Sequence, residues 1–274
     1  MVTDYPGTIG LRFNFINGGT SGLMSNVKIR KAISYSIDRE EMIDAVYGKY
    51  NPAYSYVAPA ITFNGSSYRS QVGEVIEDEY NEYVGDPDKI VALFQEGLDE
   101  LGVETPIEDI TLTYLTSGST TEVQAEREYI QQSLEETLGL TVELSVAGDT
   151  SLFIADRNEG NYDFFLGGWY SDYNDPLDFL YTNYTDAYGM SFGGYSNPDY
   201  DALADQLVGE TDMDKRLDIY KQMEQILLLD DCAFAPIYYA TKQVLLQNWV
   251  KDYRTSYFGA SAEFIWTYID GKNQ

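Results

Sequence analysis

The sequence predicts an α/β fold with a mixed, largely parallel sheet flanked by helices. Between residues 110 and 169, segments of alternating apolar residues and segments of helical periodicity follow one another as strand, helix, strand, helix, strand. Strands joined by crossover helices pair in parallel, with right-handed connections. The chain has 274 residues, of which 44% are hydrophobic, and this is enough for one large domain or two modest ones.

Two helices are predicted ahead of this layer. The first begins after Asn26, a good helix-capping residue, and carries its apolar residues on one face. The second begins after Asp38 and ends at Gly48. Residues 49–85 are polar and rich in tyrosine and turn sequences, so they are predicted to be irregular.

The central elements have typical start and stop residues. Asp86 and Pro87 begin a helix that Gly102 ends. The later elements are predicted as a strand at 110–114, a helix at 120–138, a strand at 140–146, a helix at 150–159, a strand at 162–169, helices at 198–208 and 214–229, and a strand at 234–246. The last 30 or so residues show no helical period.

Composition excludes several classes of function. The chain has 45 acidic and 17 basic residues, a net charge of −28, which would repel nucleic acid and anionic membranes. It has no histidine, which excludes histidine-bearing zinc sites and nucleophiles activated by histidine. The single cysteine, Cys232, cannot form an internal disulfide and is predicted to be buried and unreactive.

The first residues, MVTDYPGTIG, contain neither a basic nor an apolar segment of the kind that begins a signal peptide. No signal peptide is therefore predicted within this chain. We expect either a cytosolic protein or part of a longer one. No stretch approaches the roughly 18 consecutive apolar residues of a membrane helix.

The segment Gly167–Pro176, GGWYSDYNDP, is the strongest candidate site, because it places aromatic and acidic residues directly after a predicted strand. A turn, a calcium site, a catalytic acid pair and a site for a cation all remain open. Calcium is disfavoured, since Pro176 has no side-chain oxygen and Leu177 stands where an EF-hand-like loop needs glycine. Neither a metal nor another cofactor is predicted.

An enzyme and a scaffold are the alternatives from other classes. Paired acids and aromatic residues are compatible with a glycoside hydrolase, but 45 acids produce pairs by chance. No nucleophile-elbow motif or phosphate-binding loop is present. We therefore predict no catalytic residues. A surface module that uses its 25 tyrosines in an interface would bind no small molecule.

Five stretches occur in a familiar order and approximate spacing. They are NVKIRKAISYSIDREEMI, the helix at 86–102, YDFFLGGWYSDYNDPLDFL, YSNPDYDAL and FAPIYY. Together they resemble the C-terminal part of the cluster-5 solute-binding proteins, the peptide and nickel receptors of ABC importers. The resemblance covers nearly the whole chain, but family members are roughly twice as long and have a further lobe at their N-terminus.

The resemblance implies a periplasmic-binding-protein-like second lobe. Residues 1–16 would be a hinge segment from the first lobe, residues 17–236 the second lobe, and residues 237–274 a returning hinge strand and C-terminal tail. The implied hinge strands are Arg12–Ile16 and Ile237–Ala240. Their implied hinge residues are Phe13, Asn14, Phe15, Tyr238 and Tyr239. The resemblance also implies an extracytoplasmic location, as a cell-surface lipoprotein or a periplasmic protein.

The resemblance also implies a set of ligand-binding residues. Asp172 matches the position whose carboxylate binds the free α-ammonium group of the peptide in oligopeptide and dipeptide receptors. Arg157 matches a basic position near the C-terminus of the peptide. The other implied contacts come from Gly168, which would let a ligand backbone approach closely, from Trp169 and Tyr170, which would wall one side-chain pocket, and from Ser171. Asp175 and Asp178 are interpreted as turn and helix-start acids.

The implied function is capture of peptides by closure of two lobes, followed by docking of a monomeric receptor on a membrane permease. Oligosaccharide is the alternative ligand, because Trp169, Tyr170 and Tyr173 could stack on sugar rings. Nickel is disfavoured, because the chain lacks the histidine that such sites often use.

Overall fold

The computed structural model describes residues 2–185, 192–258 and 262–271, and these include a six-stranded mixed sheet. The strands are β1 (Val2–Phe13), β2 (Asn51–Pro52), β3 (Thr62–Phe63), β4 (Ser66–Ser67), β5 (Thr111–Ser117), β6 (Thr141–Ala147), β7 (Phe164–Tyr170), β8 (Phe234–Gln243), β9 (Val250–Lys251) and β10 (Tyr268–Ile269). The large sheet has the order β2-β8-β1-β7-β5-β6, while β3 pairs with β4 and β9 with β10.

The mixed sheet is confirmed, but its parallel part is smaller than predicted. Strand β5 lies parallel to β6 and β7. Strand β1 is antiparallel to both of its neighbours, β7 and β8, and β2 is antiparallel to β8. The alternation of strands and helices that suggested parallel pairing covers only β5, β6 and β7. The other strands join the sheet by pairing between distant segments, which periodicity does not reveal.

The α-helices are α1 (Val27–Tyr35), α2 (Arg39–Met42), α3 (Tyr68–Val72), α4 (Glu77–Tyr83), α5 (Pro87–Leu101), α6 (Thr121–Leu138), α7 (Thr150–Glu159), α8 (Pro176–Leu180), α9 (Pro198–Gln206) and α10 (Met213–Gln225). Helices α5, α6, α7 and α9 begin and end close to the predicted positions, whereas α2 and α10 continue as π-helical turns over Ile43–Tyr47 and Ile226–Asp230. Helices α3, α4 and α8 were not predicted. The side chain of Asn26 accepts from the first turn of α1, and that of Asp86 accepts from Lys89 N in α5. Gly102 ends α5 in the left-handed conformation, with φ +68°.

Each face of the sheet has its own hydrophobic core. On one face, α1, α5 and α6 pack their apolar residues against β1 and β5; examples are Leu11, Ile33, Phe94, Leu112 and Leu134. The other face is covered by segment 53–76 and by α8, α9 and α10; examples are Tyr56, Phe179, Tyr200, Tyr220 and Phe234. The two cores fix β1, β7 and β8 between layers of helix, and so fix the end of β7 where the candidate site begins.

The arginine of the segment NVKIRKAISYSIDREEMI has a structural role. Arg39 is completely buried, and its Nε donates to the carbonyl oxygens of Pro236 at 2.8 Å and Ala53 at 3.1 Å. Its guanidinium lies 4.2 Å from the ring centroid of Tyr80. This part of the resemblance therefore reflects packing rather than ligand binding.

Residues 49–85 are more ordered than predicted. They contain β2, β3, β4, α3 and α4. Tyr56 and Tyr68, two of the tyrosines that suggested an irregular segment, are fully buried in the second core. The prediction was wrong because each element is too short to show a period of its own.

The predicted hinge residues of the first strand lie inside the fold. Phe13 is buried and pairs with Phe164, the first residue of β7. Asn14 is also buried, and its Nδ2 donates to Gly160 O at 2.8 Å. Phe15 packs edge-on against Tyr195. These residues close the end of β1 that lies away from the carboxyl end of β7, and the hinge role of Arg12–Ile16 stays a prediction.

The returning strand also belongs to the sheet. Tyr238 and Tyr239 are buried in the middle of β8 and pair with Ile9 and Thr8 of β1. The predicted boundary at residue 237 therefore falls within a strand.

Cys232 is buried, as predicted, and burial raises the pKa of its thiol to about 11. Within the described ranges, no helix has both the length and the apolar character needed to cross a membrane.

Candidate functional site

The loop Gly167–Pro176 runs from the last residues of β7 to the first residue of α8. It lies at the carboxyl end of the parallel strands β5, β6 and β7, the edge where open α/β sheets place their ligands. Two contacts fix it from outside. Ser171 N donates to Pro6 O at 2.7 Å, and Asn174 Oδ1 accepts from Thr62 N at 2.9 Å. The loop is therefore anchored to β1 and to β3.

Asp178 organises the loop from below. Its Oδ2 accepts from the indole Nε1 of Trp169 at 2.9 Å, from Ser171 Oγ at 2.7 Å and from Asp172 N at 2.8 Å. Only 7% of Asp178 is exposed. Three charge-assisted hydrogen bonds to one buried oxygen fix the direction in which the backbone leaves β7.

The interpretation of Asp178 as a helix-start acid was therefore incomplete. Asp175, by contrast, caps α8 as predicted, and its side chain accepts from Leu177 N at 2.9 Å. The sequence marks both residues only as acids close to Pro176. Nothing in their spacing shows that the first turn of α8 folds back beneath the indole of Trp169.

The structure leaves the Asp172 carboxylate exposed to solvent at the top of the loop. Its backbone N–H is held by Asp178, so the side chain projects from a fixed backbone. The Ser171 side chain behaves in the opposite way, because it is 7% exposed and its hydroxyl donates to Asp178. Of the two residues, only Asp172 presents a side chain that a ligand could reach directly.

Trp169 and Tyr170 point to opposite faces of the sheet, as successive residues of a strand do. Trp169 packs against the second core. Tyr170 lies on the other side, where its ring centroid is 5.8 Å from that of Tyr5, and 49% of it is exposed. The two aromatic residues therefore belong to different surfaces and do not form one wall.

Gly168 is required by the sheet itself. A Cβ atom there would lie 1.9 Å from Thr8 O, because β1 passes directly beside β7. The close approach of β1 by itself requires a glycine here, and contact of Gly168 with a ligand backbone stays a prediction.

One edge of β7 is open over most of its length. The ladder between β5 and β7 consists of two pairs, Tyr114 with Phe164 and Leu115 with Phe165. Within the described part of the chain, residues 166–170 have no partner strand on this side. Open backbone groups at a strand edge can pair with an extended peptide.

Arg157 lies far from the loop along this strand. It is in the last turn of α7, which ends at Gly160, just before the amino end of β7. Asp172 follows the carboxyl end of β7, and the seven residues of the strand span about 20 Å. The structure therefore does not bring Arg157 and Asp172 together; it places them at opposite ends of the open edge.

Among the described residues, no group of three or more histidine, cysteine, aspartate or glutamate side chains is arranged to hold a metal ion. The side chains of the loop acids point in different directions. Asp175 accepts from the Tyr220 hydroxyl at 2.8 Å, Asp178 is turned inward, and Asp172 faces solvent.

Comparison with known proteins identifies the family. Residues 2–191 match the family model described as "Bacterial extracellular solute-binding proteins, family 5 Middle". The chain belongs to this family.

Individual relatives agree with this assignment. The chain is 30% identical over 234 residues to the oligopeptide-binding protein OppA of Bacillus subtilis (strain 168), covering 84% of this chain and 39% of that protein. It is 30% identical over 249 residues to the dipeptide-binding protein DppE of the same organism, covering 90% and 42%. The solved structure "Listeria monocytogenes OppA bound to peptide" is 30% identical, with a TM-score of 0.79, covering 98% and 50%. The chain thus spans half or less of the length of these relatives.

Proposed function

We propose that this chain is the second lobe of an extracytoplasmic peptide receptor that serves an ABC importer. The observation that carries the proposal is the exposed Asp172 carboxylate, on a backbone fixed by Asp178, beside the open edge of β7. The relatives reported above are named as oligopeptide- and dipeptide-binding proteins. These names support a peptide ligand rather than an oligosaccharide, and a binding protein rather than a hydrolase.

In this proposal Asp172 binds the α-ammonium group of the peptide. A charge-assisted hydrogen bond in a closed cleft contributes about 1.5–3 kcal/mol. The peptide then extends along residues 166–170 of β7 by pairing of main-chain groups, which does not depend on the peptide sequence. Water in the side-chain pockets would allow broad specificity.

The geometry also limits the role of Arg157. An extended peptide advances about 3.3–3.6 Å per residue, so one that starts at Asp172 needs about six residues to cover roughly 20 Å. Arg157 would therefore contact the C-terminus of a long peptide only. Shorter peptides would end beside β7.

The other half of the site would come from a first lobe. In the sheet, Val2 of β1 pairs with Gln243 of β8, so both strands end near each other beyond the candidate site. We place the hinge there instead of at Phe13–Phe15. The tail after β8 exposes large apolar side chains that such a lobe would cover; they are Leu245, Phe264, Ile265 and Trp266.

Ligand capture follows from this arrangement. A peptide that contacts both lobes binds the closed form better than the open form and shifts the population towards closure. The closed, monomeric receptor would then dock on the permease. A lipid anchor would hold it at the cell surface, or it would be free in the periplasm.

The first test is calorimetric titration of the complete two-lobed receptor with Ala-Ala-Ala and with its N-acetylated form. We expect the free peptide to bind and acetylation or Asp172→Asn to weaken binding at least tenfold, which corresponds to about 1.4 kcal/mol. Asp109→Asn is the matched control, because Asp109 is exposed at the opposite edge of the sheet, before β5. Equal affinity for both peptides would place the amine site elsewhere, and absence of peptide binding would refute the proposal.

A further inference from the structure

A short hairpin, formed by β3 and β4, lies beside the candidate site. The two strands are joined by Asn64 and Gly65, whose φ angles are +48° and +82°. Positive φ at both central residues is typical of a type I′ turn, for which Asn-Gly is the preferred sequence. The length of this turn sets the register of the pair, so the hairpin presents the backbone and side chain of Thr62 in one arrangement.

Phe63 anchors the hairpin to α10. Its side chain is 6% exposed, and its ring packs edge-on against that of Tyr220, with centroids 5.5 Å apart and planes at 84°. Gln71 of α3 holds the same residue at the backbone, since its Nε2 donates to Phe63 O at 2.9 Å. The hairpin is therefore fixed to the second core.

Asn174 joins the loop Gly167–Pro176 to this hairpin by two hydrogen bonds. Its Oδ1 accepts from Thr62 N at 2.9 Å, and its Nδ2 donates to Thr62 Oγ1 at 2.5 Å. A backbone N–H can only donate, so it determines which end of the amide faces it. Both ends of one amide are thus used on a single residue, which fixes the direction of the contact as well as its length.

The next residue of the loop adds a second attachment to the same support. Asp175 accepts from the Tyr220 hydroxyl at 2.8 Å, and Tyr220 is the residue on which Phe63 packs. The loop therefore contacts the hairpin directly through Asn174, and it contacts the base of the hairpin through Asp175. Its tip is held relative to the hairpin and α10 together.

These attachments bear on Asp172, which stands two residues before Asn174. Asp178 holds the backbone N–H of Asp172 from below. The direction of the exposed carboxylate depends also on the backbone that follows it, and Asn174 fixes that segment from the side. An N–H···O hydrogen bond needs a donor–acceptor distance of about 2.7–3.2 Å and a nearly straight geometry. A carboxylate free to swing would therefore bind an ammonium group less well.

We infer that Asn174 and Thr62 are positioning residues, through which the β3–β4 hairpin holds the Asp172 carboxylate towards the α-ammonium group of a bound peptide. This inference rests on the proposed function and gives the amine site a second support, from an element outside both the loop and β7. Asn174 and Thr62 act through Asp172 and need no contact with the peptide. Their contribution should therefore appear only for peptides whose amine is free.

The experiment measures, by calorimetry on the complete two-lobed receptor, the affinities for Ala-Ala-Ala and for its N-acetylated form. The readout is the ratio of the two affinities, because a merely structural role of Asn174 would weaken both peptides alike. We expect Asn174→Ala to lower this ratio from at least about tenfold to about threefold or less, while the affinity for the acetylated peptide changes by less than about twofold. The urea midpoint should move little, because Asn174 and Thr62 are both exposed.

Two substitutions of Thr62 separate the hydrogen bond from the shape of the side chain. Thr62→Val keeps the shape and removes the hydroxyl, so it should lower the ratio part of the way, because Thr62 N still donates to Asn174. Thr62→Ser keeps the hydroxyl and should preserve the ratio. In the double variant of Asn174→Ala and Thr62→Val, the ratio should equal that of Asn174→Ala alone, since the two residues act through one contact.

Asn161→Ala is the matched control, because Asn161 is an exposed asparagine before the amino end of β7 and its amide donates to Glu159 at 3.4 Å. If Asn174→Ala does not fold, the comparison of Thr62→Val with Thr62→Ser still decides. An unchanged ratio in Asn174→Ala, an equal loss for both peptides, or additive effects in the double variant would overturn the inference and leave the proposed function intact. Equal binding of both peptides by the parent receptor, or binding of neither, would contradict the proposed function and the inference with it.

Discussion

At the scale of single residues, one aspartate of the candidate site supports the loop and another is available to contact a ligand. Asp178 is buried beneath the loop and accepts three hydrogen bonds at one oxygen, while Asp172 faces solvent. Mutation of these two carboxylates should therefore change the stability of the fold by very different amounts. The buried carboxylate stabilises the fold, and the exposed one is available for a ligand.

Asp178→Ala should lower the free energy of unfolding by about 2–4 kcal/mol, because it leaves the partly buried indole N–H of Trp169 and backbone N–H of Asp172 without their acceptor. Asp172→Ala should change it by less than about 0.5 kcal/mol. Urea unfolding followed by tryptophan fluorescence measures both values. Similar losses for the two variants would show that the exposed position of Asp172 does not describe the protein in solution.

The sequence predicted the loop but not its internal organisation. Two glycines, two aromatic residues and acids after a buried strand were enough to select Gly167–Pro176. The role of Asp178 was missed because it depends on α8 folding back under β7, and that is a tertiary contact. For the same reason Trp169 and Tyr170 were assigned to one pocket, although the alternation of a strand puts them on opposite faces.

At the scale of elements, α6 carries a carboxylate whose charged form is destabilised by burial. Glu126 faces Tyr47, and burial raises the pKa of its carboxyl from 4.5 to about 7. The folded protein therefore holds this proton more tightly than the unfolded chain does. Its contribution to stability is neutral below about pH 4.5, becomes steadily more unfavourable as the pH rises from there to about 7, and stays constant above that.

Glu126→Gln should remove this penalty, because an amide oxygen still accepts the Tyr47 hydroxyl but carries no charge. At pH 8 the variant should be more stable than the parent by about 1–3 kcal/mol, and at pH 4.5 the two should be equal. Urea unfolding across this range gives the difference at each pH. Glu128→Gln, at an exposed position of the same helix, should show no such trend; a flat profile for Glu126→Gln would contradict the burial of its carboxyl.

A second pair of elements depends on a buried ion pair. Arg69 of α3 contacts Glu224 of α10, whose side chain is completely buried. The other Glu224 oxygen accepts from Val57 N at 3.0 Å, so one carboxylate joins segment 53–76 to α10. Removing its charge would leave the Arg69 guanidinium buried and unpaired.

Glu224→Gln should therefore destabilise the protein by about 3–5 kcal/mol. Lys215→Met, which removes the surface partner of Glu210, should cost less than about 1 kcal/mol. Thermal or urea unfolding of both variants measures the contrast. A small loss for Glu224→Gln would mean that α3 does not depend on α10 for its position.

A helix or strand was predicted well where its capping residues and its periodicity lie close together in the sequence. The start of the helix at 27–35 and both ends of the helices at 87–101 and 121–138 were predicted to within one or two residues, because their caps and periodicity lie in adjacent sequence. Strand β1 was largely missed, since its Pro6, Gly7 and Gly10 are typical of turns. In the structure, Pro6 falls at an irregularity in the β1–β8 ladder, and a Cβ atom at Gly10 would lie 2.2 Å from Ala235 O.

At the scale of the whole molecule, charge repulsion is the dominant electrostatic feature. The chain carries a net charge of −28, and most of its ion pairs within the described ranges lie partly exposed to solvent. Exposed pairs contribute little stability, whereas repulsion among excess acids opposes the compact state. Salt screens both the exposed ion pairs and the repulsion among the excess acids, so its net effect should be stabilising.

At pH 7, raising NaCl from 10 to 500 mM should increase Tm by several degrees, because the Debye length falls from about 30 Å to less than 10 Å. Near the isoelectric point of about 4.1 the increase should disappear, since the net charge is then close to zero. The matched variant Glu108→Gln, Glu128→Gln, Glu143→Gln changes three exposed acids and should start from a higher Tm at low salt, with a smaller response. Calorimetry across the salt series measures these values. A Tm that falls with salt at pH 7 would show instead that the ion pairs outweigh the repulsion, and that the acidic surface is organised into stabilising networks.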